Sequence, residues 1–186
     1  MAQPTSSTKF TYEDYLLFPD DGKRHELIDG DHYVTPSPRT KHQKVSLNLS
    51  SHVHAYLQTT KAGEVLCAPM DVVLSDLDVI QPDILFITKK RELIITEKNI
   101  QGAPDLVVEI LSDSSRKTDE IIKRKLYERY QIPEYWIIDP EIETVKIYRL
   151  SDQGYTRTAE LSLESNSTLT TPLLPEWELP LQQLFE

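Results

Sequence analysis

A chain of 186 residues can close one sizeable core without disulfides or metal staples, so one domain over residues 1–186 is expected, with a loose arm at 1–8. At 39% hydrophobic and 27% charged residues the composition excludes a disordered chain; no window approaches the roughly 18 apolar residues of a membrane span, and the polar start Met1 to Lys9 lacks a signal-peptide core, which leaves the cytoplasm. The net charge of −10 opposes a broad nucleic-acid surface, since Lys and Arg drive phosphate binding by displacing counterions, and two local basic clusters, Lys89 to Arg91 and Lys123 to Lys125, soften that objection.

In chain order, Thr11 is an N-cap with Asp14 three positions on, opening a short helix expected to turn Leu16 and Leu17 inward and to stop before Pro19. His25 to Ile28 and His32 to Thr35 flank Asp29-Gly30-Asp31, a turn signal that joins two short strands, and Glu26 lies on the first. From Thr40 to about Thr59, Val45, Leu49, Val53 and Leu57 recur at every fourth position, a helical stripe about five turns long. His52 and His54, two apart on that helix, point in different directions and make no metal pair. Gly63 to Ala68 and Met70 to Leu74 read as strands, and the lone cysteine, Cys67, reads as a small buried hydrophobe among Val65, Leu66 and Ala68.

Asp83 to Ile87 is a further apolar run. Asp105 to Leu111 is apolar apart from Glu109 inside it, the pattern of a strand covered on both faces. Thr118 to Tyr130 is expected to be helical, with Ile122, Leu126 and Tyr130 as its buried stripe and Pro133 stopping it. Glu134 to Ile138, Thr144 to Leu150 and Tyr155 to Glu160 follow as strands, with Tyr135 and Trp136 anchoring the core or a subunit contact. Helix, hairpin, helix, strands, helix, strands predicts an α/β fold whose mixed sheet is flanked by helices, not a doubly wound parallel sheet.

The chemistry is carried by acids in apolar strands. An unpaired buried carboxylate costs several kcal/mol, so Glu109 among Val107, Val108, Ile110 and Leu111 requires a cation, a donor or a proton. If Asp83 lies on an adjoining strand, its carboxylate reaches the same cation. The Ile110 backbone carbonyl and waters would complete an octahedral all-oxygen site suited to Mg²⁺ or Mn²⁺. Lys123, one residue round from the expected apolar stripe, belongs at the rim, where its ammonium can reach over the carboxylates, with Asp119 and Tyr127 four residues to either side to fix it.

Five stretches carry a resemblance: HELIDG at 25–30, QPDI at 81–84, PDLVVEILS at 104–112, Asp119 through Lys123 to Tyr127, and PEYWIIDP at 133–140. Together they resemble the bacterial Uma family of restriction endonuclease-like proteins, over about Phe10 to Leu150. The resemblance implies the PD-(D/E)XK nuclease core, a divalent metal, hydrolysis of DNA phosphodiesters, and a homodimer, the form in which this fold cuts two strands. By position, Asp83 matches the metal-binding aspartate of the motif and Glu109 its second acid. The lysine usual two residues beyond the glutamate is replaced by Leu111, and similar sequences supply it from the helix, which here means Lys123, with Lys125 as its rival near the substrate. Glu26 matches a carboxylate able to complete the metal shell, and His42 a substrate contact.

Blander explanations stand beside these. Asp83 after Pro82 is also an Asx-turn residue, Glu109 a structurally paired acid, and Lys123 a solvated partner of Asp119. Two other functions stay open: a nuclease-fold binding or assembly module without turnover, favoured by the acidic charge, and a hydrolase of small phosphodiesters.

Overall fold

In a computed structural model, which describes residues 8–186, the chain opens on a capped turn. Thr11 Oγ1 accepts from the Asp14 N–H while Asp14 Oδ2 accepts from the Thr11 N–H at 2.8 Å, and helix α1 (Tyr12–Tyr15) follows. A helix this short offers one inward position, and Tyr15 takes it; Leu16 and Leu17 do not turn inward but are 62% and 83% exposed. All of the arm expected at 1–8 except Thr8 lies outside the described residues.

Strands β1 (Arg24–Ile28) and β2 (Asp31–Thr35) are joined by Asp29 and Gly30 at φ 52° and 72°, the left-handed pair of a tight hairpin turn. Helix α2 (Thr40–Thr60) buries Val45, Leu49, Val53 and Leu57 as their spacing requires. Next come β3 (Gly63–Cys67), β4 (Val72–Val73), β5 (Val79–Ile80) and β6 (Ile84–Thr88). A 3-10 turn, Lys89–Ile94, precedes β7 (Ile100–Gln101) and β8 (Leu106–Ile110). A π-helical turn, Thr118–Lys123, runs into helix α3 (Arg124–Arg129) and returns the chain to β9 (Glu134–Asp139). The hairpin β10 (Thr144–Ser151) and β11 (Gly154–Ser162), the pair β12 (Thr168–Thr170) and β13 (Glu178–Pro180), and helix α4 (Leu181–Phe185) complete the order.

The main sheet runs β11-β10-β9-β8-β6-β3, with β8 and β9 parallel across the helical crossover and the other neighbours antiparallel. A second sheet, β2-β1-β5-β4-β7, brings the first hairpin against it. The strand expected over Met70 to Leu74 shrinks to β4, and Cys67 is exposed rather than buried, because β3 is an edge strand and Cys67 is its last residue.

Alternation along the central strands divides the core in two. Ile84, Phe86, Val108, Ile110, Trp136 and Ile138 face the stripe of α2 and the C-terminal Leu169, Trp177, Leu179 and Leu184, with Trp136 stacked on Trp177 at 6.2 Å between ring centroids. Trp136 is fully buried, which assigns it to this core and not to a subunit contact. Leu85, Ile87, Val107, Leu111, Tyr135 and Ile137 face the other way, against Leu126 and Tyr127 of α3 and against Ile28, Val72, Ile80 and Ile100 of the second sheet. The charged site lies on this second side.

Candidate active site

Between antiparallel β6 and β8, Ile84 pairs with Val108, so one further step of that register sets Asp83 across from Glu109. Both point to the second side of the sheet and are only 4% and 2% exposed. Asp83 Oδ2 accepts from the Ile110 N–H at 2.8 Å and from His42 Nε2 at 3.0 Å, while its Oδ1 accepts from Arg24 Nη1 at 2.6 Å. In an extended strand the N–H and C=O of one residue point to the same side, so the Ile110 carbonyl is directed to the side on which Asp83 sits. Glu109 Oε1 accepts from Lys123 Nζ at 3.0 Å and from the Tyr127 hydroxyl at 2.5 Å. Glu26 Oε1 accepts from Lys123 Nζ at 2.8 Å and from the Gln81 N–H at 2.8 Å, and Asp119 Oδ1 lies 3.7 Å from the same ammonium.

The position of Lys123 corrects the expectation. It is not at the rim but 4% exposed, while Ile122 is only half-buried and Ile121 is 45% exposed. The cause is the π-helical turn: its wider i→i+5 ring rotates the inward face, so a stripe drawn at strict α-helical spacing fails across it. Asp119 and Lys123 face inward within the turn, and Leu126 and Tyr127 after it. Tyr127 was paired with Lys123 by spacing, yet its hydroxyl bonds Glu109 instead.

These groups line a cavity of about 250 Å³ between the segment 35–39 and the loop 112–115. Of the residues singled out by sequence, Asp83, Glu109, Ile110, Glu26, His42 and Lys123 all border it. Lys125 does not. It is exposed and borders a separate groove with Glu128 and Arg129, because the residue two after an inward lysine on a helix faces outward. Arg24 was missed by sequence reasoning. Its signal was present, since residues 24 and 26 share one face of β1 and Glu26 was already a candidate.

Electrostatically the cluster is short of positive charge. Burial pushes Glu109 up to about 8; Lys123 opposes that rise, and Asp119, Asp83 and Glu26 add to it. Burial likewise lifts Asp119 to about 6 against the pull of Lys123 and Ser115. For Asp83 burial also acts upward, but His42, Arg24 and the Ile110 N–H outweigh it and hold the carboxyl below its ordinary value. Burial works against the charge of Lys123, yet Glu109, Glu26 and Asp119 keep it protonated well above the usual lysine range.

Among the described residues, no three His, Cys, Asp or Glu side chains converge closely enough to hold a metal ion. The donor set nonetheless suits a hard divalent cation. Glu26, Asp83, Glu109 and Asp119 are all-oxygen donors around one cavity, more numerous than the buried cations Arg24 and Lys123 beside them, and the upward shift of Glu109 marks the excess of acid that a divalent cation would relieve.

A family model described as "Uma2: Putative restriction endonuclease" matches residues 12–182. The chain belongs to the Uma2 family. A crystal structure titled as that of a "putative nuclease belonging to DUF820" from Anabaena variabilis superposes with a TM-score of 0.79 at 22% identity, covering 95% of this chain and 97% of that one. No curated protein matches the chain. At that identity the superposition speaks for the fold alone: this Uma2 chain has the mixed α/β, restriction endonuclease-like architecture expected of it. Among its described residues no helix is long and apolar enough to cross a membrane.

Proposed function

We propose that this Uma2 protein is a metal-dependent endonuclease that hydrolyses DNA phosphodiester bonds, with Asp83 and Glu109 as its principal acids. The observation that carries the reading is that these two buried acids stand opposite one another in the register of neighbouring strands and line one cavity, with a buried lysine held against Glu109. Asp83, Glu109 and the Ile110 carbonyl would hold Mg²⁺ or Mn²⁺, with Glu26 able to join them on leaving Lys123 and the Gln81 N–H, and the ion would supply Lewis-acid polarisation of the phosphate when bound.

The protein's own groups do the rest. Water adds to phosphorus as the bond from phosphorus to the leaving oxygen breaks; the water gives up a proton and the leaving oxygen gains one. Lys123 keeps its proton and meets the extra negative charge of the transition state, held in place by Glu26 at 2.8 Å and Asp119 at 3.7 Å. Tyr127 and Lys123 fix the orientation of Glu109 through its Oε1. His42 and Arg24 hold Asp83, and both line the cavity, where they would also offer donors to a phosphate oxygen. A homodimer in the cytoplasm and a single domain over 1–186 belong to the same proposal.

Purified protein should nick supercoiled plasmid in Mg²⁺ or Mn²⁺ and stop when a chelator is added; plasmid left intact after prolonged incubation with either metal would refute the proposal. A binding module without turnover is favoured by one observation: Arg24 and Lys123 already give each of the principal acids an ionic partner. It requires Glu109→Ala to leave the protein's cellular effect unchanged.

A further inference from the structure

Three cavities meet at one short segment. The central one, about 250 Å³, contains Asp83, Glu109 and Lys123. A second, about 350 Å³, adjoins it at Arg24 and continues past Lys23, Gln43 and Gln81. A third, about 170 Å³, adjoins it at Glu26 and Lys123 and continues past Tyr33, Ser114 and Thr118. Thr35 and Pro36 border all three, so the path bends around this strap. At the far end of the strap Arg39 Nη1 lies 3.0 Å from Asp113 Oδ2 of the 112–115 loop, a solvent-exposed pair that marks where strap and loop approach without locking them.

The dimensions decide what can enter. A duplex is stiff over about 150 base pairs and carries its phosphates on the outside of a broad rod, whereas the acids here are 2% and 4% exposed inside a cavity below the roughly 300 Å³ of a small ligand pocket. A single strand, flexible at every phosphate, can follow a bent and narrow path. Charge weighs against a duplex as well. A net charge of −10 offers no broad basic face, and Lys23, Arg24 and Lys123 stand along the path among more numerous acids, so that only a few phosphates at a time can be met there. Among the described residues, Nδ1 of His42, a side chain 7% exposed that lines the central cavity, has no hydrogen-bond partner, a buried polar atom that a ligand could satisfy.

We infer that the substrate of this site is single-stranded DNA led around the Thr35–Arg39 strap, and that the strap rejects duplex; the inference rests on the nuclease reading above. The test is one labelled oligonucleotide, alone and annealed to its complement, incubated with the full chain in Mn²⁺. The single strand should be cut at least about tenfold faster, as for enzymes that reach their target only outside the stacked duplex. Pro36→Gly combined with Pro38→Gly frees the backbone of the strap without removing a cation, and should raise duplex cleavage towards that of the single strand. Duplex cut as fast as single strand by the wild type, or a Pro36→Gly, Pro38→Gly variant with the same discrimination, overturns the inference and leaves the nuclease reading intact. Binding to Glu109→Gln, followed by fluorescence anisotropy, separates the two claims. If neither form is cut but the single strand is bound in preference, the nuclease reading fails and the strand preference stands; equal binding of both forms removes the preference as well.

Discussion

Replacing Lys123 by methionine keeps the length of the side chain and removes the ammonium that lies 2.8 Å from Glu26, 3.0 Å from Glu109 and 3.7 Å from Asp119. Removing one partner of a buried ion pair costs about 3–5 kcal/mol, because the remaining charge is left without compensation. The cost must depend on pH, and its sign follows from the direction of the shifts. Glu109 and Asp119 have folded values raised to about 8 and about 6, so each contributes stability at low pH that is lost as pH rises through the folded value. Lys123 pulls both values down, and without it both rise further, so the variant goes on losing stability at pH values where the wild type no longer does. The gap between the two should therefore widen above about pH 6 and again above about pH 8. Urea unfolding of Lys123→Met and wild type at pH 5.5 and 8.5, in chelator, should give a difference of about 3–5 kcal/mol at the higher pH and roughly 1–3 kcal/mol less at the lower. A difference below about 1 kcal/mol at both values, or one independent of pH, would mean that the lysine is solvated and that the buried cluster is misdescribed.

Calorimetric titration of Mn²⁺ should show binding to wild type and a loss of about 100-fold or more in Asp83→Ala, beyond the 10–100-fold typical of outer-shell partners; unchanged heats would remove Asp83 from the metal site. Tyr127→Phe deletes the hydroxyl that donates to Glu109 at 2.5 Å and should lower stability by about 1–3 kcal/mol in urea, with a loss under about 0.5 kcal/mol counting against that bond. Because Cys67 is exposed at the end of an edge strand, a thiol reagent should label the native protein at once; labelling that waits for denaturant would return it to the core.

What could be read from residues alone was whatever depends on local chemistry. Asp29-Gly30 specifies a tight turn because few other pairs tolerate two left-handed residues, and the four-residue spacing of Val45 to Leu57 specifies one helical face. Glu109 stood out because an acid in an apolar run has no bland surroundings to explain it. Lys123 could be named but not placed, since its burial arises from a π-helical turn that no spacing rule written for regular helices contains. Arg24 was invisible for a different reason: its role depends on β1 lying beside Gln81 and Asp83, a contact nearly sixty residues away in sequence. The region after Glu160 gave no periodic signal, because Leu169, Leu174, Trp177, Leu179 and Leu184 are buried by two very short strands, turns and one helix turn, each too brief to repeat a pattern.

The six-stranded sheet is also a partition. The residues that seal one side, from the stripe of α2 to Trp177, lie apart from most of the acids and cations on the other, and His42 of α2 and Ile110 of β8 reach both. Drift in that sealing layer away from these two residues can raise or lower the melting temperature while leaving the reactive chamber as it was, so the two properties are free to evolve at largely separate rates.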